Sequence, residues 1–122
     1  MNTFNEDLIR VAEAYRDGSY RGDGELLQSI FTDNCLSCGY IEQEPVTMPM
    51  QEYIAWLTSV PSMESQNIAF KTAIESAEAW GDIGVLTVRE WNFFGTKNYL
   101  DTFQLMKMDG VWKIVSKLFT TF

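Results

Sequence analysis

The chain contains no histidine. That absence excludes Ser-His-Asp and Cys-His nucleophile activation, histidine metal sites, and the side chain best suited to moving protons near neutral pH. Any acid or base must be a carboxylate, tyrosine, lysine or cysteine. Cysteine itself is scarce, with only Cys35 and Cys38 forming a single C-x-x-C. No second pair completes four zinc ligands, and three-residue separation along a strand sends the two thiols to opposite faces. Structural cysteines are therefore expected, and no metal or cofactor is assigned. Basic residues are also few, nine Lys plus Arg against seventeen Asp plus Glu, for a formal charge of −8. They are scattered singly, which argues against nucleic acid and anionic membranes as partners. No apolar run approaches a membrane span, and the N-terminal region carries Asp, Glu and Arg where a secretory signal needs an uninterrupted apolar core. A soluble cytoplasmic protein is the expectation.

What the chain does have is apolar and aromatic material: 46% hydrophobic residues, with four Trp, five Tyr and eight Phe in 122 positions. That is enough for one domain, 1–122, to close a core without disulfides or metals, and the large rings can fill that core or line a pocket. The clearest local signal lies near the C-terminus. Two runs rich in aromatic and β-branched residues flank Asp109-Gly110, a pair suited to a type I′ turn because both residues tolerate positive φ. The turn predicts a register with Met108 opposite Val111, Met106 opposite Lys113, Leu105 opposite Ile114 and Gln104 opposite Val115. One face then carries Tyr99, Asp101, Phe103, Leu105, Trp112, Ile114 and Leu118, and the other Leu100, Gln104, Met106, Met108, Val115 and Phe119. Neither is wholly polar, so both faces are expected to be covered.

Upstream, Thr3-Phe4-Asn5-Glu6 has capping-box spacing, and Phe4, Leu8, Val11, Ala12 and Tyr15 follow at helical intervals. This first helix is expected to end near Asp17-Gly18. Asp23 can cap a short second helix with Leu26, Leu27, Ile30 and Phe31 inward. Thr32-Asp33-Asn34 reads as a break before a strand over Cys35 to Ile41, and Pro45 confines Glu42 to Met48 to a turn or an edge. Pro49 suits the first turn of a third helix bearing Met50, Tyr53, Ile54, Trp56 and Leu57. Strands over Ile68 to Trp80 and Ile83 to Phe94 then lead into the hairpin. Helices first and antiparallel strands after predict an α+β fold.

Three segments together, Ala14 to Phe31, the strand with Ser37-Cys38-Gly39-Tyr40-Ile41, and DGVWKIV at Asp109 to Val115, resemble the nuclear transport factor 2-like superfamily. Within it the chain is similar to a small lumazine-binding branch with polyketide-cyclase-like and ketosteroid-isomerase-like relatives. The resemblance implies a cone-shaped half-barrel, three helices packed on a curved, mixed, mostly antiparallel sheet, with a pocket between them and a homodimer built on the outer sheet face. In the isomerases an Asp base lies on the strand after helix two, and a protonated Asp with a Tyr binds the oxyanion. Matched without gaps, the base position falls on Gly39 and the protonated-acid position on Gln104, while Tyr15 lies near the helix-one Tyr. Gly39 cannot be a base, so steroid isomerisation is disfavoured. Gln104 can still donate a hydrogen bond to a ligand carbonyl. Relatives of this branch often finish with histidines around Thr120 and Phe122, so any chemistry those residues perform is absent here.

Among the residues themselves, Asp101 is the candidate acid or base, because a carboxyl between Tyr99 and Phe103 is open to desolvation. Its plain alternative is a salt bridge to Arg89 or Lys117. Arg89 reads as a surface ion pair rather than a ligand clamp. Tyr15, Tyr40, Tyr53, Trp56 and Trp91, with Gln104, form the candidate binding set for a flat heterocyclic, pterin-like or hydrophobic ligand. Three functions follow: a small-molecule binding protein, an isomerase, cyclase or dehydratase using Asp101, or a ligand-free dimerisation module.

Overall fold

The computed structural model describes residues 4–122. Helix α1 (Glu6–Arg21) starts where Asn5 accepts from the backbone N–H groups of Asp7 and Leu8 at 2.9 and 3.1 Å. Two orphan donors of the first turn are thereby satisfied. Thr3, the first residue of the capping-box pattern, lies outside the described residues. The helix does not stop at Asp17-Gly18. It continues to Arg21 and is terminated by Gly22, whose φ of 65° is the left-handed conformation glycine adopts without strain. Gly18 serves packing instead: a Cβ there would meet Leu27 Cγ at 2.7 Å, so its absence lets α2 (Gly24–Ile30) lie close against α1. Asp23 caps α2 as expected, accepting from the Leu26 N–H at 3.1 Å.

Strand β1 (Phe31–Ile41) begins directly after α2, four residues earlier than the sequence suggests. Thr32-Asp33-Asn34 does not break the chain. It forms an irregular start to the strand, where Phe31 pairs with Ile114 and the Thr32 hydroxyl donates to the Ile114 carbonyl. Edge strand β2 (Glu44–Pro49) returns antiparallel to β1, and α3 (Met50–Ser59) follows. Then come β3 (Lys71–Trp80), β4 (Ile83–Phe93), β5 (Lys97–Met108) and β6 (Val111–Thr121). The six strands form one sheet in the order β2-β1-β6-β5-β4-β3, with β1 and β6 parallel and all other neighbours antiparallel. Three helices on an open, mixed sheet is the α+β arrangement that the sequence predicts.

The Asp109-Gly110 turn has φ of 51° and 79°, and beyond it Met108 pairs with Val111, Met106 with Lys113 and Leu105 with Ile114. The register then slips. Gln104 pairs with Ser116 rather than Val115, because Val115 is an extra residue on β6. A single bulge exchanges the faces of everything beyond it. Lys117 therefore turns inward and is buried, while Leu118, expected on the same face as Asp101 and Phe103, is 61% exposed on the opposite one. Phe119 likewise moves to the inner face.

The core lies between the helices and that inner face. Leu8, Val11, Tyr15, Leu27, Ile54 and Leu57 meet Leu86, Val88, Phe103, Leu105 and Ile114. Each such side chain contributes roughly 1.5–3 kcal/mol on burial. Among the described residues nothing covers the outer face: Ile83, Val85, Met106 and Leu118 are all exposed there. No helix among the described residues is long and apolar enough to cross a membrane.

Candidate functional site

Three inward positions on neighbouring strands place charge inside this apolar layer. Asp101 on β5 pairs with Val88 on β4 and Phe119 on β6, so Glu90, two residues past Val88, and Lys117, two before Phe119, are its diagonal neighbours on the same face. All three are nearly fully buried. Tyr15 descends from α1 onto this group, and Lys117 Nζ donates to its hydroxyl at 2.9 Å. The same nitrogen lies 3.9 Å from Asp101 Oδ1. Around it the rings of Tyr15, Tyr53, Phe119 and Phe103 stand with centroids 5.1, 5.1, 5.3 and 6.0 Å away. An ammonium is stabilised by such ring faces and by the carboxylate together.

The two carboxyls are not equivalent. Burial and then the neighbouring Asp101 charge hold the Glu90 carboxyl well above the usual carboxylate range, with the Lys117 charge pulling the other way. Glu90 thus keeps its proton where an exposed Glu has lost it. One oxygen of each group, Glu90 Oε2 and Asp101 Oδ2, is buried without any hydrogen-bond partner. Burial pushes the Tyr99 phenol up to about 12 and raises Tyr15 and Tyr53 further. These tyrosines are neutral donors across the physiological range.

The group forms one wall of a cavity of about 270 Å³. Tyr53 and Trp56 from α3, Phe93 and Tyr99 from the far ends of β4 and β5, and Phe119 supply its aromatic surface, while Ser37 and Ile41 bring in β1. Trp56 is half-exposed and rests edge-on to Phe94 at 5.1 Å. Gly39 lies between Ser37 and Ile41 on the same face of β1, and a Cβ there would sit 1.9 Å from the Phe119 carbonyl oxygen. Only glycine lets β1 and β6 approach this closely.

Of the residues singled out from sequence, the fold brings Tyr15, Tyr53, Trp56 and Asp101 together around this cavity. Tyr40, Trp91 and Gln104 do not line it. Tyr40 projects from the opposite face of β1 and is 54% exposed. Trp91 lies edge-on to Phe122, and Gln104 accepts from the Ser116 hydroxyl at 2.9 Å on the outer face. Arg89 is ion-paired with Glu75 and covers the Phe122 ring, a surface arrangement. Both cysteines are free, and burial pushes the Cys35 thiol up to about 11, which makes it unreactive. Asp101 takes Lys117, not Arg89, as its partner.

Sequence reasoning did not place Glu90 and Phe119 in the site, and named Lys117 only as an alternative ion-pair partner of Asp101. For Glu90 a signal existed: Leu86, Val88 and Glu90 alternate on the inner face, so a carboxyl ends an apolar series. For Lys117 and Phe119 the bulge concealed it.

The family model described as "Putative lumazine-binding" matches residues 5–120. The chain belongs to that family. No curated protein matches the sequence. Among solved structures, a nuclear transport factor 2-like protein of unknown function from Silicibacter pomeroyi is 26% identical, with a TM-score of 0.83 over 95% of this chain and 93% of that one. A similar protein of unknown function from Shewanella baltica shares 22% identity at a TM-score of 0.80, covering 95% and 91%. A ketosteroid isomerase-like protein from Erwinia carotovora atroseptica is 19% identical, at 0.65 over 97% and 98%. These likenesses establish the nuclear transport factor 2-like fold for the family member described here.

Proposed function

We propose that the protein binds a small, flat molecule in the cavity, with hydrogen-bond donors on its edge turned toward Glu90 and Asp101. The observation that carries this reading is the pair of buried, unpartnered carboxyl oxygens on the wall of an aromatic cavity. Leaving a buried acceptor unsatisfied costs about 1–3 kcal/mol each, and a ligand N–H or O–H recovers that cost on binding. A volume of about 270 Å³ is at the small end for ligand pockets and suits one compact ring system. Pterin-like heterocycles carry N–H donors along one ring edge and a flat face for Trp56, Phe93 and Tyr99. With Glu90 neutral and Asp101 opposite Lys117, the wall has no net charge, which favours an uncharged ligand. The cavity also argues against a ligand-free dimerisation module, whose pocket would be filled by its own side chains.

Titration calorimetry with lumazine as the probe tests this. One molecule is expected per chain, with affinity weakened at least about tenfold in Asp101→Asn, where an amide replaces an acceptor, and in Tyr53→Leu. Undetectable binding, or affinity indifferent to both changes, would refute the reading.

A protonated Glu90 beside Asp101 also favours a second reading, in which the pair works as acid and base for an isomerase, cyclase or dehydratase. Asp101 would then be the catalytic residue. The uncovered outer face, with Ile83, Val85, Met106 and Leu118 exposed, is assigned to a second copy of the chain. A two-fold pairing lays the same apolar patch on itself and removes it from water.

A further inference from the structure

We infer that Lys117 captures an aldehyde or ketone in the cavity as a covalent imine. Three groups are needed for that chemistry: an amine, a base to free its lone pair, and an acid to protonate the departing oxygen. They stand side by side here. Lys117 lines the cavity, Asp101 Oδ1 is 3.9 Å from its Nζ, and Glu90, whose protonated form is favoured by burial beside Asp101, lines the same wall.

In the first step the Lys117 ammonium passes a proton to Asp101. The freed nitrogen lone pair attacks the carbonyl carbon, forming the C–N bond while the C=O π pair moves to oxygen, which takes a proton from Glu90. The resulting carbinolamine returns an N–H proton to Glu90, its hydroxyl takes the proton on Asp101 and leaves as water, and the nitrogen lone pair closes C=N. Overall the ammonium and the carbonyl become a protonated imine and one water. Charge is conserved, and both carboxyls end as they began.

The surroundings fit the product as well as the free side chain. A protonated imine is a cation at the same nitrogen, so Asp101 and the rings of Tyr15, Tyr53, Phe103 and Phe119 stabilise it as they do the ammonium. The Tyr15 hydroxyl, 2.9 Å from Nζ, is a neutral donor that can hold the carbonyl oxygen during attack. A purely structural lysine needs none of this, since a buried ion pair is commonly replaceable by an apolar side chain of similar volume.

This rests on the cavity being a ligand site, so the test separates the two. The protein is incubated with benzaldehyde and sodium cyanoborohydride, and benzylated lysines are mapped by peptide mass spectrometry. Lys117 is expected to be modified at least about tenfold faster than Lys71, Lys97, Lys107 or Lys113, because the cavity holds the aldehyde against it with Asp101 and Glu90 alongside. Glu90→Gln should slow labelling at Lys117 and leave the other lysines unchanged. In the double variant Lys117→Met with Asp101→Asn the fast adduct should vanish. Adducts confined to the other lysines, while lumazine still binds by calorimetry, would overturn the imine and leave the ligand site standing. If lumazine fails to bind as well, both readings fall.

Discussion

Replacing Glu90 by Gln should make the protein more stable at neutral and alkaline pH, against the usual expectation for a buried core residue. The carboxyl is almost completely buried, and burial beside Asp101 raises its pKa in the folded chain above the unfolded value near about 4.3. Below that pH both states hold the proton, and the group makes no pH-dependent contribution. As pH rises past it, the unfolded chain ionises while the folded chain retains the proton, so stability falls until the folded carboxyl itself ionises. A full one-proton difference corresponds to about 1.4 kcal/mol per pH unit. The substituted amide keeps the shape but has no proton to lose. Urea denaturation of wild type and Glu90→Gln between about pH 5 and about pH 8 measures the effect; at roughly 1–3 kcal/mol/M, the midpoints should diverge by about 0.5–1.4 M per pH unit, with the variant higher. Taking the difference removes groups common to both chains. The titratable groups facing Glu90 are Asp101, Lys117, Tyr15, Tyr53 and Tyr99, and the tyrosines stay neutral in this range. Curves that run parallel across the range would show that Glu90 is ionised in the folded chain, and the electrostatic account of the site would fail.

Lys117→Met alone should cost about 3–5 kcal/mol, because it leaves the Asp101 charge buried with no cation. Adding Asp101→Asn should recover most of that loss; simple additivity in thermal or urea unfolding would mean that the 3.9 Å pair carries no coupling. On the outer face, light scattering coupled to size exclusion should find a dimer for wild type and a monomer for Leu118→Glu, with lumazine affinity unchanged in the variant. A monomeric wild type at micromolar concentration would remove the second copy from that surface.

Much of the fold could be read locally. Asp109-Gly110 fixes its own turn, Asp23 its own cap, and the apolar spacing in α1 and α3 their inward stripes. The places where reading fails share a cause, which is contact with something distant in sequence. Gly18 reads as a helix end, but its lack of a side chain answers Leu27 on the next helix. Thr32 to Asn34 read as a break, but pairing with β6 draws Phe31 into the sheet. Val115 looks like any strand valine, yet it is the extra residue that turns Lys117 and Phe119 inward. Parity therefore groups Asp101 correctly with Phe103 and Leu105 on the unbulged strand, and sets its charged partner on the opposite face. Tyr40 and Trp91 show the limit from the other side. An aromatic side chain on a strand belongs to either face until the helices choose one, and here they cover the other.

The close seat of Gly39 against β6 also bears on descent. The position that matches the isomerase base begins, for any carboxyl-bearing side chain, with a carbon 1.9 Å from the Phe119 carbonyl oxygen. A lineage carrying this backbone cannot gain that base by one substitution, because β6 must first move aside. That movement would displace Phe119 from the ring shell around Lys117. A carboxylate at position 39 and the ring shell around Lys117 therefore do not fit together on this backbone.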